Sequence, residues 1–410
     1  MKLRAFIISL CSVVICSFSV KIYASSLLKV GIWHAEIETQ SGKQIPFLFE
    51  LKEKSGKYEI DIINAAERLK VDEVRVVGDS LIFVMPFFDS EFRALITSDQ
   101  LQGKWIRHFI GHNLEMNFHA SYNDTSRFAI TTAPESTITG RWKIKFDKSE
   151  DFSIGEFTQD KKGRVVGSIL NLDGDYRYLE GRVSKDSLYL STFDGSHCYL
   201  FTAKISQGAK SLEGGKFYAG YTTVISWNAL FDKHAALPDA YGLTSLKPGF
   251  SHLSFHFKDL HGREVSLDSP EFKNKVIIVQ FMGSWCPNCM DETAFLSRFY
   301  EKYKSKVAVV ALAYERSTDF DRSLTSLMQF VKRFNVGYDV LITGYTNQTG
   351  EVLKSIPELK NFIAFPTTVI LDRNGIVRKI HTGFTGPGTG RYYTEFEEEF
   401  TSYILKLYSE

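Results

Sequence analysis

The chain has 410 residues, enough for two or three domains. Apolar residues make up 44% and charged residues 24%, the balance of a water-soluble globular protein rather than of a disordered tail or a multi-span membrane protein. Lysine plus arginine number 49 against 48 for aspartate plus glutamate, with no basic stripe or polybasic tail, which argues against a nucleic-acid partner.

Residues 1–24 read as a secretory signal peptide. Lys2 and Arg4 give the positive end, Ala5 to Val20 is mostly apolar and uncharged, and Ile22-Tyr23-Ala24 offers a cleavage site after Ala24. The stretch is short and wrongly flanked for a membrane span. An uncleaved anchor is the alternative, and lipidation at Cys16 is opposed by the bulky Ile15 before it. Export would place the mature chain in the periplasm. Removing the segment takes away Cys11 and Cys16 and leaves Cys198, Cys286 and Cys289, too few for a disulfide-stapled scaffold. Cys198 lies in a strand-like run and reads as a buried, inert thiol.

Residues 25–225 read as all-β, with short alternating runs between turn signals such as Ser41-Gly42, Lys162-Gly163 and Asp173-Gly174. An internal repeat divides them into halves of about 25–125 and 135–225. Gly31-Ile32-Trp33 matches Gly140-Arg141-Trp142, Asp79-Ser80-Leu81 matches Asp186-Ser187-Leu188, and Leu101-Gln102-Gly103 matches Leu212-Glu213-Gly214. Three matches in one order at nearly one spacing predict two related meanders, forming a barrel or a sandwich, with the repeated aromatics in the core. Residues 226–250, with Pro238-Asp239 and Lys247-Pro248-Gly249, read as a linker.

Residues 251–410 alternate strand and helix and predict an α/β layered domain. Strands are expected at Leu253 to Phe257, Val276 to Met282, Val307 to Ala313, Tyr338 to Ile342, Thr367 to Leu371 and Ile376 to Ile380. Helices are expected at Pro287 to Tyr303 and Phe320 to Phe334, with a closing amphipathic helix through Phe396, Phe400, Ile404 and Leu407. Asp372-Arg373-Asn374-Gly375 signals a hairpin.

Chemistry concentrates at Trp285-Cys286-Pro287-Asn288-Cys289, between a strand and a helix. That layout sets Cys286 at a helix N-terminus, where free N–H groups and the helix dipole favour a thiolate. The thiolate is the species that attacks disulfides, and Cys289 one turn on can close back onto it. Zinc would need a second ligand pair, which is absent at ligand spacing. A structural bridge would close too small a loop to constrain the unfolded chain. His108, His112 and His197 complete no metal shell either.

Together with Phe365-Pro366-Thr367-Thr368, the hairpin signal and the segment Ile380 to Gly388, the motif resembles the TlpA-like thiol-disulfide oxidoreductases of the thioredoxin superfamily. The resemblance covers about a third of the chain. It implies a thioredoxin-like fold, with Cys286 as attacking thiolate, Cys289 as resolving thiol and no cofactor beyond their disulfide. It further implies support from Trp285, Pro287 and Asn288, a cis bond at Pro366, and substrate pairing along Phe365 and Thr367. The partners implied are protein thiols and disulfides, with a membrane electron donor. One departure stands out. Many thioredoxins carry a buried acid six residues before the first cysteine, where this chain has Gln280, which does not titrate. Glu315 is the candidate replacement for proton transfer, while Asp291 and Glu292 read as complements to the helix dipole. The expected function is a periplasmic thiol-disulfide oxidoreductase working as a reductase. The alternatives are a thiol peroxidase, which Gly283 three residues before Cys286 disfavours, and a non-enzymatic partner- or ligand-binding protein.

Overall fold

The computed structural model describes residues 28–410 except 87, 110, 130 and 131. The signal-peptide reading, with Cys11 and Cys16, lies outside the described residues.

Two antiparallel sheets follow one another, each a meander whose first and last strands pair. In the first, Gly31–Glu38 pairs with His112–Tyr122. The sheet's two end strands, Glu67–Val71 and Glu73–Val77, are separated in sequence by Asp72 alone, so the sheet curls into a barrel. In the second, Gly140–Phe146 pairs with Thr223–Phe231. Pairing of Ser153–Gln159 with Arg164–Asn171 closes it into a ring, which leaves no open edge. Its last strand runs to Phe231, into the stretch expected as linker.

The repeat is physical as well as textual. Gly31 and Gly140 open their barrels at φ +128° and +126°, a conformation that side chains rarely adopt. Trp33 and Trp142 follow two residues later, both fully buried. Their indole N–H groups donate to the carbonyls of Lys29 (3.0 Å) and Ile138 (2.8 Å). Each ring packs edge-on at 5.4 Å against the matching last-strand aromatic, Tyr122 or Phe231. These indoles build cores. The barrels also share apolar contacts, since Phe193, Cys198 and Leu200 of the second join the core of the first and Phe193 stacks on Phe47 at 4.4 Å. Burial pushes the Cys198 thiol well up, which keeps it protonated and unreactive.

The C-terminal domain is a seven-stranded mixed sheet. Its order is Glu264–Ser266, His256–Asp259, Asp339–Thr346, Val307–Glu315, Val276–Met282, Thr367–Leu371, Val377–Thr382. The central strands Val276–Met282 and Val307–Glu315 are parallel and buried along their whole length, which is why they read as unbroken apolar runs. Helices α1 (Pro287–Tyr303), α2 (Phe320–Phe334), α3 (Thr349–Ser355) and α4 (Arg391–Ser409) complete the layers. The strand expected at Leu253 to Phe257 lies instead at His256–Asp259, and Leu253 and Phe255 insert into the core from irregular backbone. Helix α3 has no counterpart in the periodicity because it buries one residue only, Val352.

Candidate active site

The strand Val276–Met282 delivers the chain to Gly283-Ser284-Trp285 and then into α1, with Cys286 as its N-cap and Pro287 at its first position. Proline is at ease there because the first turn needs no intrahelical donor. The Cys289 N–H points at the Cys286 sulfur, 3.2 Å away. That contact, added to the helix dipole, favours negative charge on Cys286. The two cysteines form a disulfide, and Cys286 is 4% exposed while Cys289 is fully buried.

The Phe365–Pro366 bond is cis, and the Phe365 carbonyl lies 3.6 Å from the Cys286 sulfur. Two residues 79 apart in sequence thus share one site. Trp285 is half-buried beside them. Its indole N–H donates to the Tyr314 carbonyl (2.9 Å), and its ring meets Phe365 edge-on at 5.6 Å. Thr367, expected to touch substrate, turns inward: it is fully buried and its hydroxyl donates to the Ala364 carbonyl (2.7 Å). Its side chain therefore shapes the proline loop. A side chain at Gly283 would run into the Trp285 indole, so this position has no room for the hydroxyl that peroxide activation would want.

Acid placement departs from the sequence reading. Both Glu315 oxygens are taken by Ser284, one accepting its N–H (2.7 Å) and the other its hydroxyl (2.7 Å). Burial raises the Glu315 pKa, but its geometry is that of a brace for the loop entering the motif. Glu292, expected as a complement to the helix dipole, is 2% exposed. It accepts from Gln280 Nε2 (2.8 Å) and from the Thr368 hydroxyl (2.7 Å). Burial pushes its pKa up to about 7, against the pull of those two hydrogen bonds. It sits one helical turn beyond Cys289, on the same side of α1. The signal that could have found it is the spacing of three from Cys289 together with Gln280, a neutral residue that can partner a buried carboxyl. Asp291 leaves the helix dipole to the side as well, forming a two-pronged ion pair with Arg177 of the second barrel (2.9 and 3.0 Å).

His197 Nδ1 donates to the Asp194 carboxylate at 2.9 Å, and His108 pairs with Asn113 at 3.0 Å. Among the described residues no three His, Cys, Asp or Glu side chains stand together as a metal site. Among them, too, no helix is long and apolar enough to cross a membrane.

Residues 230–394 match the Redoxin family. The thiol-disulfide oxidoreductase ResA of Bacillus thuringiensis subsp. konkukian is 28% identical over 149 residues, which are 36% of this chain and 75% of ResA. The thioredoxin-like protein YneN of Bacillus subtilis is 29% identical over 129 residues, 32% of this chain and 68% of YneN. A solved structure from Chlorobium tepidum, described as a thiol:disulfide interchange protein DsbE, is 23% identical, covers 40% of this chain and 99% of its own, and has a TM-score of 0.31. A cysteine pair at a helix N-cap, a cis-proline loop against it and the match of residues 230–394 lead to one conclusion: the C-terminal part of this chain is a redoxin domain of thioredoxin-like fold, preceded by a module of two β-barrels.

Proposed function

We propose that the protein is a periplasmic thiol-disulfide oxidoreductase that reduces disulfides in partner proteins. The observation that carries this reading is the Cys286 sulfur, held at the N-cap of α1, receiving the Cys289 N–H and facing the Phe365–Pro366 loop. The supporting relatives, ResA above all, are named for the same chemistry.

In the reduced form, the Cys286 thiolate attacks one sulfur of a partner disulfide. A mixed disulfide forms and the partner's other sulfur leaves as a thiolate. Cys289 then gives its proton to Glu292 and attacks the Cys286 sulfur. The Cys286–Cys289 disulfide forms, and the partner's second thiolate departs and is protonated. Two electrons have passed to the partner, and a dithiol donor at the membrane returns them. No further cofactor enters this cycle. Glu292 suits the proton step because its pKa of about 7 lets it both take and release a proton near neutrality. The positive end at Lys2 and Arg4, the apolar run and Ala24 support export.

An equilibrium redox titration read by thiol trapping tests the proposal. A potential at or below roughly −200 mV agrees with a reductase, and one near roughly −120 mV would make it an oxidant. Cys289→Ser should trap the mixed disulfide and Cys286→Ser should abolish exchange. A pair that never cycles would end the redox reading.

A further inference from the structure

The second barrel breaks its own repeat at the place where it meets the redox site. In the first barrel, Lys57–Asn64 turns directly into the five-residue strand Glu67–Val71. In the second, the corresponding strand Arg164–Asn171 is followed by Gly174–Asp175 alone. The chain then leaves the sheet through Tyr176, Arg177 and Tyr178 before re-entering at Leu179. Arg177 takes a left-handed conformation, φ +54°, to make that bend.

This excursion lands on the motif itself. The Asn288 amide, between the two cysteines, donates to the Asp175 carbonyl (3.1 Å) and accepts from the Asp175 N–H (3.2 Å), like a strand partner. The Asp175 carboxylate, 3% exposed, accepts from the Gly386 N–H (2.6 Å). The Arg177 guanidinium, also buried, joins three parts of the chain: Asp291 on α1, Asp194 of the second barrel (3.0 Å) and Glu67 of the first (2.7 Å). Glycines allow the close approach. A Cβ on Gly174 would collide with the Asn288 amide, and one on Gly388 would come within 2.6 Å of the Arg177 backbone.

We propose that residues 172–178 are a specificity wall of the redox site, supplied by the barrel module. The wall closes the approach to Cys286 across Asn288 and leaves the approach along Trp285 and Phe365. The partner it fits is an extended polypeptide segment bearing a disulfide. A disulfide set in the surface of a compact folded protein meets the wall. Arg177 and Gly174 act here as positioning residues. The inference rests on the thiol-disulfide exchange proposed above, and the exchange step is the one written there, with the same atoms and electrons.

The test uses the full chain and two substrates, a linear peptide in mixed disulfide with glutathione and folded insulin. Wild type should favour the peptide. Gly174→Val, which drives a side chain into Asn288, and Arg177→Met, which releases Asp291, should each shift kcat/KM toward insulin by about tenfold or more relative to the peptide. The potential of the Cys286–Cys289 pair should stay near the wild-type value. A gain on insulin does not arise from misfolding, and Gly174→Val keeps the buried ion pairs should Arg177→Met fail to fold. Wild type that reduces both substrates equally well, or variants with unchanged selectivity and intact folding, would overturn the wall while leaving the oxidoreductase in place. Wild type that reduces neither, with Cys286→Ser indistinguishable from it, would overturn the exchange reading and the wall together.

Discussion

Replacing Glu292 by Gln should uncouple both the stability and the rate of this protein from pH. Burial raises the Glu292 pKa from the ordinary 4.5 to about 7. The folded chain therefore keeps a proton that the unfolded chain has already released between those values. The stability this proton confers is fully present below about pH 4.5 and is lost as pH rises through 7. Ionising the group in place costs about 3 kcal/mol, which is the displacement of its pKa expressed as free energy. Gln stays neutral, so the variant does not lose this stability at high pH. Set against that is one hydrogen bond: the carboxyl accepts from both Gln280 and Thr368, whereas the new amide has one oxygen. Rotation of the Thr368 hydroxyl recovers most of that, leaving a loss of about 1 kcal/mol. For a domain of this size the net gain at about pH 8 should appear as a melting temperature roughly 4–8 °C above wild type. Near pH 4, where the protonated acid and the amide each offer one carbonyl and one donor, the two proteins should melt alike. Scanning calorimetry of both proteins across this range reads the difference directly. In stopped-flow measurements, resolution of the mixed disulfide by Cys289 should slow by about a hundredfold or more and lose its inflection near pH 7. A melting difference that is the same at low and high pH would refute the buried-acid reasoning. A variant that keeps the inflection would remove Glu292 from the proton step.

Other expectations follow from the same geometry. Glu315→Gln turns an amide N–H toward the Ser284 donors, costing about 1–3 kcal/mol. It should lower kcat/KM through a loosened motif entry while keeping the pH inflection of wild type. An inflection that moved with it would make Glu315 the proton carrier instead. Trp142→Ala and Trp33→Ala empty equivalent fully buried sites and should each cost about 3–5 kcal/mol in chemical denaturation, with the dithiol potential unchanged. Sharply unequal losses would argue that the two barrels are not built alike.

What could be read from the chain divides along the range of the interaction. The strand Val276–Met282, the helix Pro287–Tyr303 and the Cys-Pro-Asn-Cys junction between them are written in neighbouring residues, so periodicity and a proline at the helix start were enough. The repeat was equally legible, because the same local constraint, a glycine of positive φ followed by a core tryptophan, recurs in each barrel. The cis state of Pro366 followed from family resemblance, not from its own neighbours. Other features depended on partners distant in sequence. Glu292 looks like any acid near a helix start until Thr368, 76 residues away, closes over it. Thr367 reads as a strand residue that pairs with substrate until the fold turns its hydroxyl to Ala364. Asp291 shows nothing of Arg177, 114 residues earlier in the chain, and Asn288 nothing of Asp175. The sequence by itself determined where the cysteine pair stands, because a helix N-terminus needs only local backbone. Tertiary structure decided which acid is buried and which domain packs against the site, because burial and ion pairing are properties of the environment that the whole chain assembles.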